Sequence, residues 1–253
     1  KRKIRDAGIP YRVPPDHLLP ERLDGVLKVL YLVFNEGYDA SSGEALIRTD
    51  LCAEAIRLAR VLASLMPDEP EVLGLLALVL LHDARRGARA DAAGDLILLE
   101  DQDRSRWDQS RIDEGRALLD WALRMGRPGP YQLQAAIAAV HDEAATAQAT
   151  DWRQIAALYA ALATVAPSPV VELNRAVAVA MVEGPERGLA LMAGLDVALA
   201  GYPYLHAARA ELLRRLGRRA EAASSYERAL AHTTNAAERR YLARRLAEVT
   251  SAS

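Results

Sequence analysis

The sequence is poor in cysteine and in aromatic residues. It contains one cysteine, Cys52, and one phenylalanine, Phe34, among 253 residues, and aromatic side chains make up only 5% of the chain. A single thiol excludes an internal disulfide and is typical of a protein in a reducing cytoplasm. Because 51% of the residues are nevertheless hydrophobic, most of the apolar mass is aliphatic, and the abundant Ala and Leu favour an all-helical fold.

Long apolar runs and recognisable catalytic motifs are also absent. The longest apolar stretch, Val72–Leu81, has about half the length of the ~18 residues that a membrane-spanning helix needs, so we predict no membrane segment. The chain has no GxSxG, P-loop or GxGxxG sequence, and its histidines form no HExxH pair. We therefore predict that it is not an enzyme and that it binds no cofactor or metal. The net charge of −2 gives no general attraction to nucleic acid.

An acidic segment, "EDQDRSRWDQS", resembles a calcium loop only superficially. Arg106 stands where the sixth position needs glycine, and Ile112 stands where the twelfth needs glutamate. Two interpretations stay open: a loop in which Arg104 and Arg106 pair with its own carboxylates above Trp107, or a partner-binding loop. The candidate partner residues are Asp101, Asp103, Arg104, Arg106 and Trp107.

The first 20 residues differ from the rest of the chain. Four basic residues lead into four prolines, which favour an extended connector, whereas the pattern from Glu21 onward is helical. The basic residues are Lys1, Arg2, Lys3 and Arg5. We thus expect a linker over 1–20 and a helical domain over 21–253, with a possible subdivision near 146. Because the chain begins with lysine rather than methionine, we expect it to be part of a longer protein.

Paired helices with small residues at their contacts recur along the chain. The clearest pair surrounds Gly217 and is typical of a tetratricopeptide repeat, in which small residues let two helices approach and an aromatic fills the gap. The residues of this pattern are Ala210, Leu213, Ala222, Tyr226 and Ala229. We predict an all-α, right-handed superhelix of antiparallel helix pairs, interrupted near 88–100 by a small β-hairpin or extended arm around Leu96–Leu99.

The stretch "VLKVLYLVFNEGYDASSGEAL" ends an apolar helical pattern abruptly in polar residues. We expect Tyr31 and Phe34 to pack inward and Gly37 to form a left-handed C-cap. Glu36 opposes the helix dipole there, so we expect a bond to an arginine or to the amides of "DASSG". Contact with a ligand or partner is the alternative.

The C-terminal helices are rich in arginine. Residues 211–250 contain nine arginines and five glutamates. The favoured interpretation is a solvated face that pairs with its own glutamates at helical spacing, and contact with an acidic surface or with DNA is the alternative.

Seven stretches, taken in order, resemble one bacterial protein family. They are "KRKIRDAGIPYRVP", "VLYLVFNEGY", "DLCAEAIRLAR", "PDEPEVLGLLALVLLHDARR", "LLEDQDRSRWD", "GPYQLQAAIAA" and "SPVVELNRAVAVA". Together they resemble the tetratricopeptide-like C-terminal extension of a group of extracytoplasmic-function (ECF) sigma factors. The resemblance implies that residues 1–5 are the tail of the promoter-reading region 4. It also implies a parent protein that directs RNA polymerase to promoters in the cytoplasm.

On this resemblance, the extension regulates or enables transcription initiation. It would dock onto its own sigma regions 2 and 4, onto core polymerase, or onto another protein, while promoter DNA is contacted by the parent's sigma regions. The alternative is a helical domain that senses a small molecule. The candidate groove residues are Tyr31, Asn35, Glu36, Tyr38, Gln132, Gln134, Asn174 and Arg175.

Overall fold

The computed structural model describes residues 19–251. Within this range the protein is all-α, with eleven α-helices and five short 3-10 turns. The helices are α1 (Leu19–Tyr38), α2 (Thr49–Leu65), α3 (Pro70–Ala84), α4 (Gln109–Arg124), α5 (Pro130–Glu143), α6 (Trp152–Val165), α7 (Pro169–Glu183), α8 (Pro185–Met192), α9 (Pro203–Arg215), α10 (Arg219–His232) and α11 (Ala236–Ser251). None of these described helices is long and apolar enough to cross a membrane.

Helix boundaries follow local chemistry that is visible in the sequence. Proline occupies the first turn of α3, α5, α7, α8 and α9, where its missing N–H would have no helical partner anyway. Asp108, Asp151 and Ser168 accept backbone N–H bonds at the starts of α4, α6 and α7. Asp50 does not cap α2, because the helix already begins at Thr49 and Asp50 lies in its first turn.

Each helix packs on its neighbour in the sequence, and α3 packs in addition against α5. The whole circumference of α3 is buried, which explains its nearly continuous run of leucine and valine. The predicted helix pair around Gly217 is formed by α9 and α10. Its Ala210, Ala222, Tyr226 and Ala229 are buried in one apolar cluster, and Gly217 takes a left-handed φ of 72° in the turn between them.

Gly37 corrects the expectation for the end of α1. It is helical rather than a left-handed cap, and the helix continues to Tyr38. A Cβ on Gly37 would lie 2.6 Å from the backbone nitrogen of Cys52 and 2.9 Å from its Sγ. The glycine is therefore required where α1 and α2 approach each other closely. Phe34 packs inward as expected and is 1% exposed.

The segment between α3 and α4, where a small β-hairpin or extended arm was predicted, reverses direction with very little β-structure. A single antiparallel bridge joins Ala90 to Leu96, and no β-strand is formed in the described part of the chain. The Asp91 carboxylate accepts the N–H groups of Ala93 and Asp95 and so holds the turn. We call residues 90–96 the arm.

The helices close into a ring, because the end of the chain meets its beginning. The loop after α1 forms an isolated parallel bridge from Gly43 to Asn235, the residue before α11. The N–H of Ala236 donates to the Gly43 carbonyl at 3.0 Å. Further along α11, Arg240 pairs with Asp95 of the arm. We call this boundary the seam: residues 39–46 and the arm on one side, Tyr204 and residues 234–244 on the other.

Arginines of the last helices pair mainly with carboxylates of the protein itself. Arg214 and Arg245 both bind Glu211, at 2.6 and 2.7 Å, and Arg218 pairs with Glu221 at 2.6 Å. Burial alone would raise the pKa of the Glu211 carboxyl, but these hydrogen bonds lower it overall. The arrangement agrees with the favoured interpretation of a self-paired helical face.

Candidate functional site

The ring surrounds a large cavity of about 1190 Å³ that is open to solvent on part of its boundary. Its wall is built by residues from both halves of the chain, so the site exists only when the ring is assembled. The polar and aromatic lining residues are Tyr31, Asn35, Glu36, Tyr38, Asp39, Ser41, His82, Arg85, Arg89, Gln102, Gln134, His141, Tyr159, Ser168, Asn174, Tyr202, Tyr204, His232, Thr233, Thr234 and Glu238. Aliphatic side chains of α1, of residues 96–99 and of α5–α7 lie between them.

Tyrosine dominates the wall in a chain that has few aromatics. Five of the nine tyrosines line the cavity. The Tyr31 hydroxyl donates to Gln134 Oε1 at 3.1 Å, which joins α1 to α5 across the wall. Burial raises the pKa of Tyr159 to about 12, so its phenol is protonated at neutral pH and can donate a hydrogen bond. Such side chains offer a large apolar area together with a polar tip.

A buried basic corner lies at the C-terminal ends of α3 and α5. Arg85 Nε lies 3.5 Å from Asp142 Oδ1, and both side chains are almost fully buried. Burial raises the pKa of Asp142 to about 6, against the opposing effect of Arg85. Burial, followed by the charges of Arg85 and Arg104, lowers the pKa of His141 to about 3. The pKa of His82 is also lowered well below its ordinary value, chiefly by burial. Both rings are therefore neutral at physiological pH.

Arg89 fixes the end of α1 to the segment after α3. Its guanidinium donates to the Tyr38 carbonyl at 2.8 Å and to Asp39 Oδ1 at 3.1 Å. It also lies 3.9 Å from the centre of the Tyr38 ring, a cation–π geometry that stabilises a desolvated charge. These contacts already satisfy the guanidinium, so this part of the wall is a rigid support and offers no free cation to a ligand.

Glu36 lies on the wall and has the partners that were expected for it. Its Oε1 is 3.5 Å from Arg48 Nη1, and its Oε2 accepts the N–H of Ser41 at 3.3 Å. The carboxylate is about one-third exposed, so it is both an internal anchor of the loop after α1 and an accessible part of the cavity.

The structure brings most of the predicted groove residues together and separates two of them. Tyr31, Asn35, Glu36, Tyr38, Gln134 and Asn174 all lie on the wall. Gln132 does not, because its amide is fully buried against Glu71 and the Arg127 carbonyl. Arg175 points elsewhere as well and pairs with Glu172 on its own helix.

In the acidic loop, Arg104 and Arg106 do not pair with the loop's own carboxylates, which was one of the two interpretations. Arg104 donates to the carbonyls of His141 and Ala144 at 2.6 and 2.7 Å and stacks over Trp107 at 4.4 Å. Arg106 donates to the Gly87 carbonyl. Both arginines therefore join the loop to α5 and α3 instead of neutralising it. Trp107 is buried beneath it, as expected.

The acidic residues of this loop remain at the surface. Asp103 accepts bonds from Ser105 within the loop, and Asp101 and Asp103 are exposed. Within residues 19–251, no cluster of three or more His, Cys, Asp or Glu side chains could hold a metal ion. The predicted DNA-proximal residues Lys1, Arg2, Lys3 and Arg5 lie outside the described part of the chain.

Several wall residues carried no recognisable signal in the sequence. Arg89, Tyr159 and Glu238 sit in ordinary helical or loop patterns, and only ring closure brings them together. "GYPYL" was the one usable hint: its Tyr202 and Tyr204 flank the first proline of α9 in an aromatic-poor chain. In the structure their rings pack edge to face at 5.2 Å on the cavity wall.

The chain is similar in sequence to one protein family and to one longer bacterial protein. Residues 22–123 match a family described as a family of unknown function, DUF6596. Over 242 residues the chain is 51% identical to an uncharacterized protein of Rhizobium meliloti (strain 1021). This match covers 96% of the present chain and 57% of the relative, so the chain spans little more than half of that longer protein.

Proposed function

We propose that this chain is the regulatory C-terminal domain of an ECF sigma factor and that its central cavity is the regulatory site. The parent protein directs RNA polymerase to promoters, and the domain acts in the cytoplasm beside core polymerase and promoter DNA. One observation carries the proposal: of the seven family-like stretches, five contribute residues to the cavity wall. The features behind the resemblance thus converge on one place.

The composition of the wall suits a segment of protein chain. Tyrosine is enriched where proteins bind one another, because it combines apolar area with a hydrogen-bonding tip. A helix about 10 Å wide with a rise of 1.5 Å per residue takes up about 120 Å³ per residue, so the cavity could hold about ten residues. Sigma regions 2 and 4 of the parent supply such segments, and in the relative roughly two fifths of the chain lie outside the match.

A transcription experiment tests this proposal. Asn174→Trp would place a bulky ring in the cavity from α7, and Val182→Trp is the matched control on the same helix outside the wall. In the parent protein with core polymerase, we expect the first variant to change promoter output and the second to leave it near wild type. Equal output from both variants, or promoter output independent of residues 21–253, would contradict the proposal.

A small-molecule sensor is the second candidate, and the composition of the cavity wall favours it. Asn174 and Tyr159 are among many polar groups that the wall presents between its aliphatic and aromatic side chains, and such a mixture of apolar surface and convergent polar groups is usual in a ligand pocket. Native mass spectrometry of the freshly purified protein tests this candidate. A bound small molecule that Asn174→Trp displaces, while Val182→Trp retains it, would favour sensing over peptide capture.

A further inference from the structure

The ring is held together by two kinds of contact that differ in strength. Along the chain, five apolar clusters follow one another from α1 to α11, and each unites neighbouring helices. One of them has members on both sides of residue 146, so the helix stack is continuous there. Among the described residues, no apolar cluster joins α10 or α11 to α1. In the part of the chain that the structure describes, the seam is the one boundary of the ring that polar contacts hold together instead of an apolar cluster.

Asn235 is the centre of the seam. Its side chain is fully buried, and its Nδ2 donates to the carbonyls of Ala40 and Ala45 at 3.0 and 3.1 Å. Its Oδ1 accepts the N–H of Ala237 at 2.9 Å and so caps α11. The two ends of one amide thus have separate tasks: the nitrogen binds the first loop, and the oxygen begins the last helix.

Charged and hydroxyl groups complete the seam. The Tyr204 hydroxyl lies 2.9 Å from Asp39 Oδ2 and 2.7 Å from Glu238 Oε1. One hydroxyl proton can serve only one of these acceptors at a time, so the two carboxyl groups crowd each other, with Arg89 on the Asp39 side. Arg240 and Arg244 face Asp95 of the arm from α11.

These contacts are of the kind that water can replace. When the seam opens, its donors and acceptors exchange protein partners for water at little net cost. Opening the seam exposes a few buried apolar residues such as Ala40 and Leu46, whereas separating any other pair of neighbouring helices would expose a whole apolar cluster. The ring is therefore weakest at the point where its two ends meet. The cavity behind the seam is large enough for a chain segment. A continuous segment that passes from one face of the ring to the other can enter without threading an end only if the ring opens.

We propose that the seam is a latch, which opens to admit a continuous segment of the parent's sigma regions sideways into the cavity and then closes around it. This inference rests on the proposed function for the identity of the occupant, but not for the opening itself. The latch residues are Asp39, Asp95, Tyr204, Asn235, Glu238 and Arg240.

Asn235→Asp tests the opening without disturbing the helix cap. The substituted carboxylate still accepts the α11 N–H groups, but it places an acceptor against the carbonyls of Ala40 and Ala45. Asn174→Asp is the matched control, since it makes the same exchange on the cavity wall away from the seam. Spin labels at Glu44→Cys and Ala231→Cys, two exposed positions on opposite sides of the seam, report its width by pulsed electron resonance. Cys52 is buried and burial raises its thiol pKa, so it resists labelling.

We expect a short distance in the wild-type ring, and an added longer distance in Asn235→Asp but not in Asn174→Asp. Circular dichroism should show unchanged helix content in all three. A seam distance unaffected by Asn235→Asp would overturn the latch. Loss of helix content together with opening would also overturn it, because the seam would then be an inseparable part of the fold.

A locked ring tests the occupant. A short bismaleimide between Asp95→Cys and Arg240→Cys closes the seam covalently, and the same double variant left unlinked is its control. The probe is the parent's sigma regions 2 and 4, expressed as a separate labelled chain. We expect the link to slow association by about tenfold or more. Equal association of linked and unlinked proteins would overturn the sideways path. A seam that opens while no form binds the probe would overturn the occupant and the proposed function, but would leave the opening established.

Discussion

Substitution of Gly37 by alanine offers a direct measure of how closely the first two helices must approach. The added Cβ would meet the backbone nitrogen of Cys52 at 2.6 Å and the Cβ of Leu51 at 2.9 Å. Backbone cannot swing aside as a flexible side chain can, so α1 and α2 must separate. Overpacking of this kind costs about 1–3 kcal/mol, partly offset by about 0.5–1 kcal/mol from the better helix propensity of alanine.

Gly25 is the matched control on the same helix. A Cβ there meets nothing within 4 Å, so Gly25→Ala should stabilise the protein by about 0.5–1 kcal/mol. Urea denaturation followed by circular dichroism measures both variants. Cys52→Ala should restore only part of the stability of Gly37→Ala, because the clash with the Cys52 nitrogen remains. If Gly37→Ala were as stable as Gly25→Ala, the close approach of the helices would not be the reason for glycine at this position.

Three further predictions concern buried polar groups. Asp83→Asn should lower the free energy of unfolding by about 2–4 kcal/mol in urea denaturation, because it removes a fully buried carboxylate that pairs with Arg86 and Arg111. A loss below about 0.5 kcal/mol, the usual range for surface positions, would contradict this pairing. Tyr226→Phe should lower the free energy of unfolding by only about 1 kcal/mol, since it removes one hydrogen bond to Glu211 and leaves the ring in place. Thermal melts test this value against Tyr226→Ala, which should lower the free energy of unfolding by about 3–5 kcal/mol. Because the pKa of His141 is lowered to about 3 in the folded protein, the free energy of unfolding falls as the pH drops from the unfolded pKa of about 6.5 toward 3. His141→Gln should therefore flatten the acid side of a plot of stability against pH. An unchanged slope would refute the lowered pKa of His141.

Helix positions were predictable because they depend on neighbours in the sequence. The prolines that begin α3 and α7 and the periodic leucines of α1 act within a turn or two of themselves. The small-residue pattern around Gly217 likewise describes a contact between adjacent helices. Gly37 was misjudged for the same reason: a glycine after an apolar run is usually a cap, and nothing local shows that the backbone of α2 passes over it.

The candidate site was predictable only in part. Six of the eight proposed groove residues share the cavity wall, because polar residues on the inner faces of α1, α5 and α7 interrupt otherwise apolar patterns. Gln132 is two residues from Gln134 on α5, and that spacing places it on a different face of the helix, against Glu71. Helical periodicity alone does not tell which of two buried faces meets a cavity and which meets a neighbouring helix.

Local patterns in the sequence are sufficient to predict an all-helical protein of paired helices, with small residues at the contacts and no recognisable catalytic motif. Closure of the pairs into a ring is visible only in the folded chain, because it depends on contacts across nearly two hundred residues, such as that of Asn235 with Ala40. Several of these contacts join one side chain to a backbone carbonyl, and any residue carries one of those. Such a contact leaves no pattern in the sequence, yet it makes the cavity.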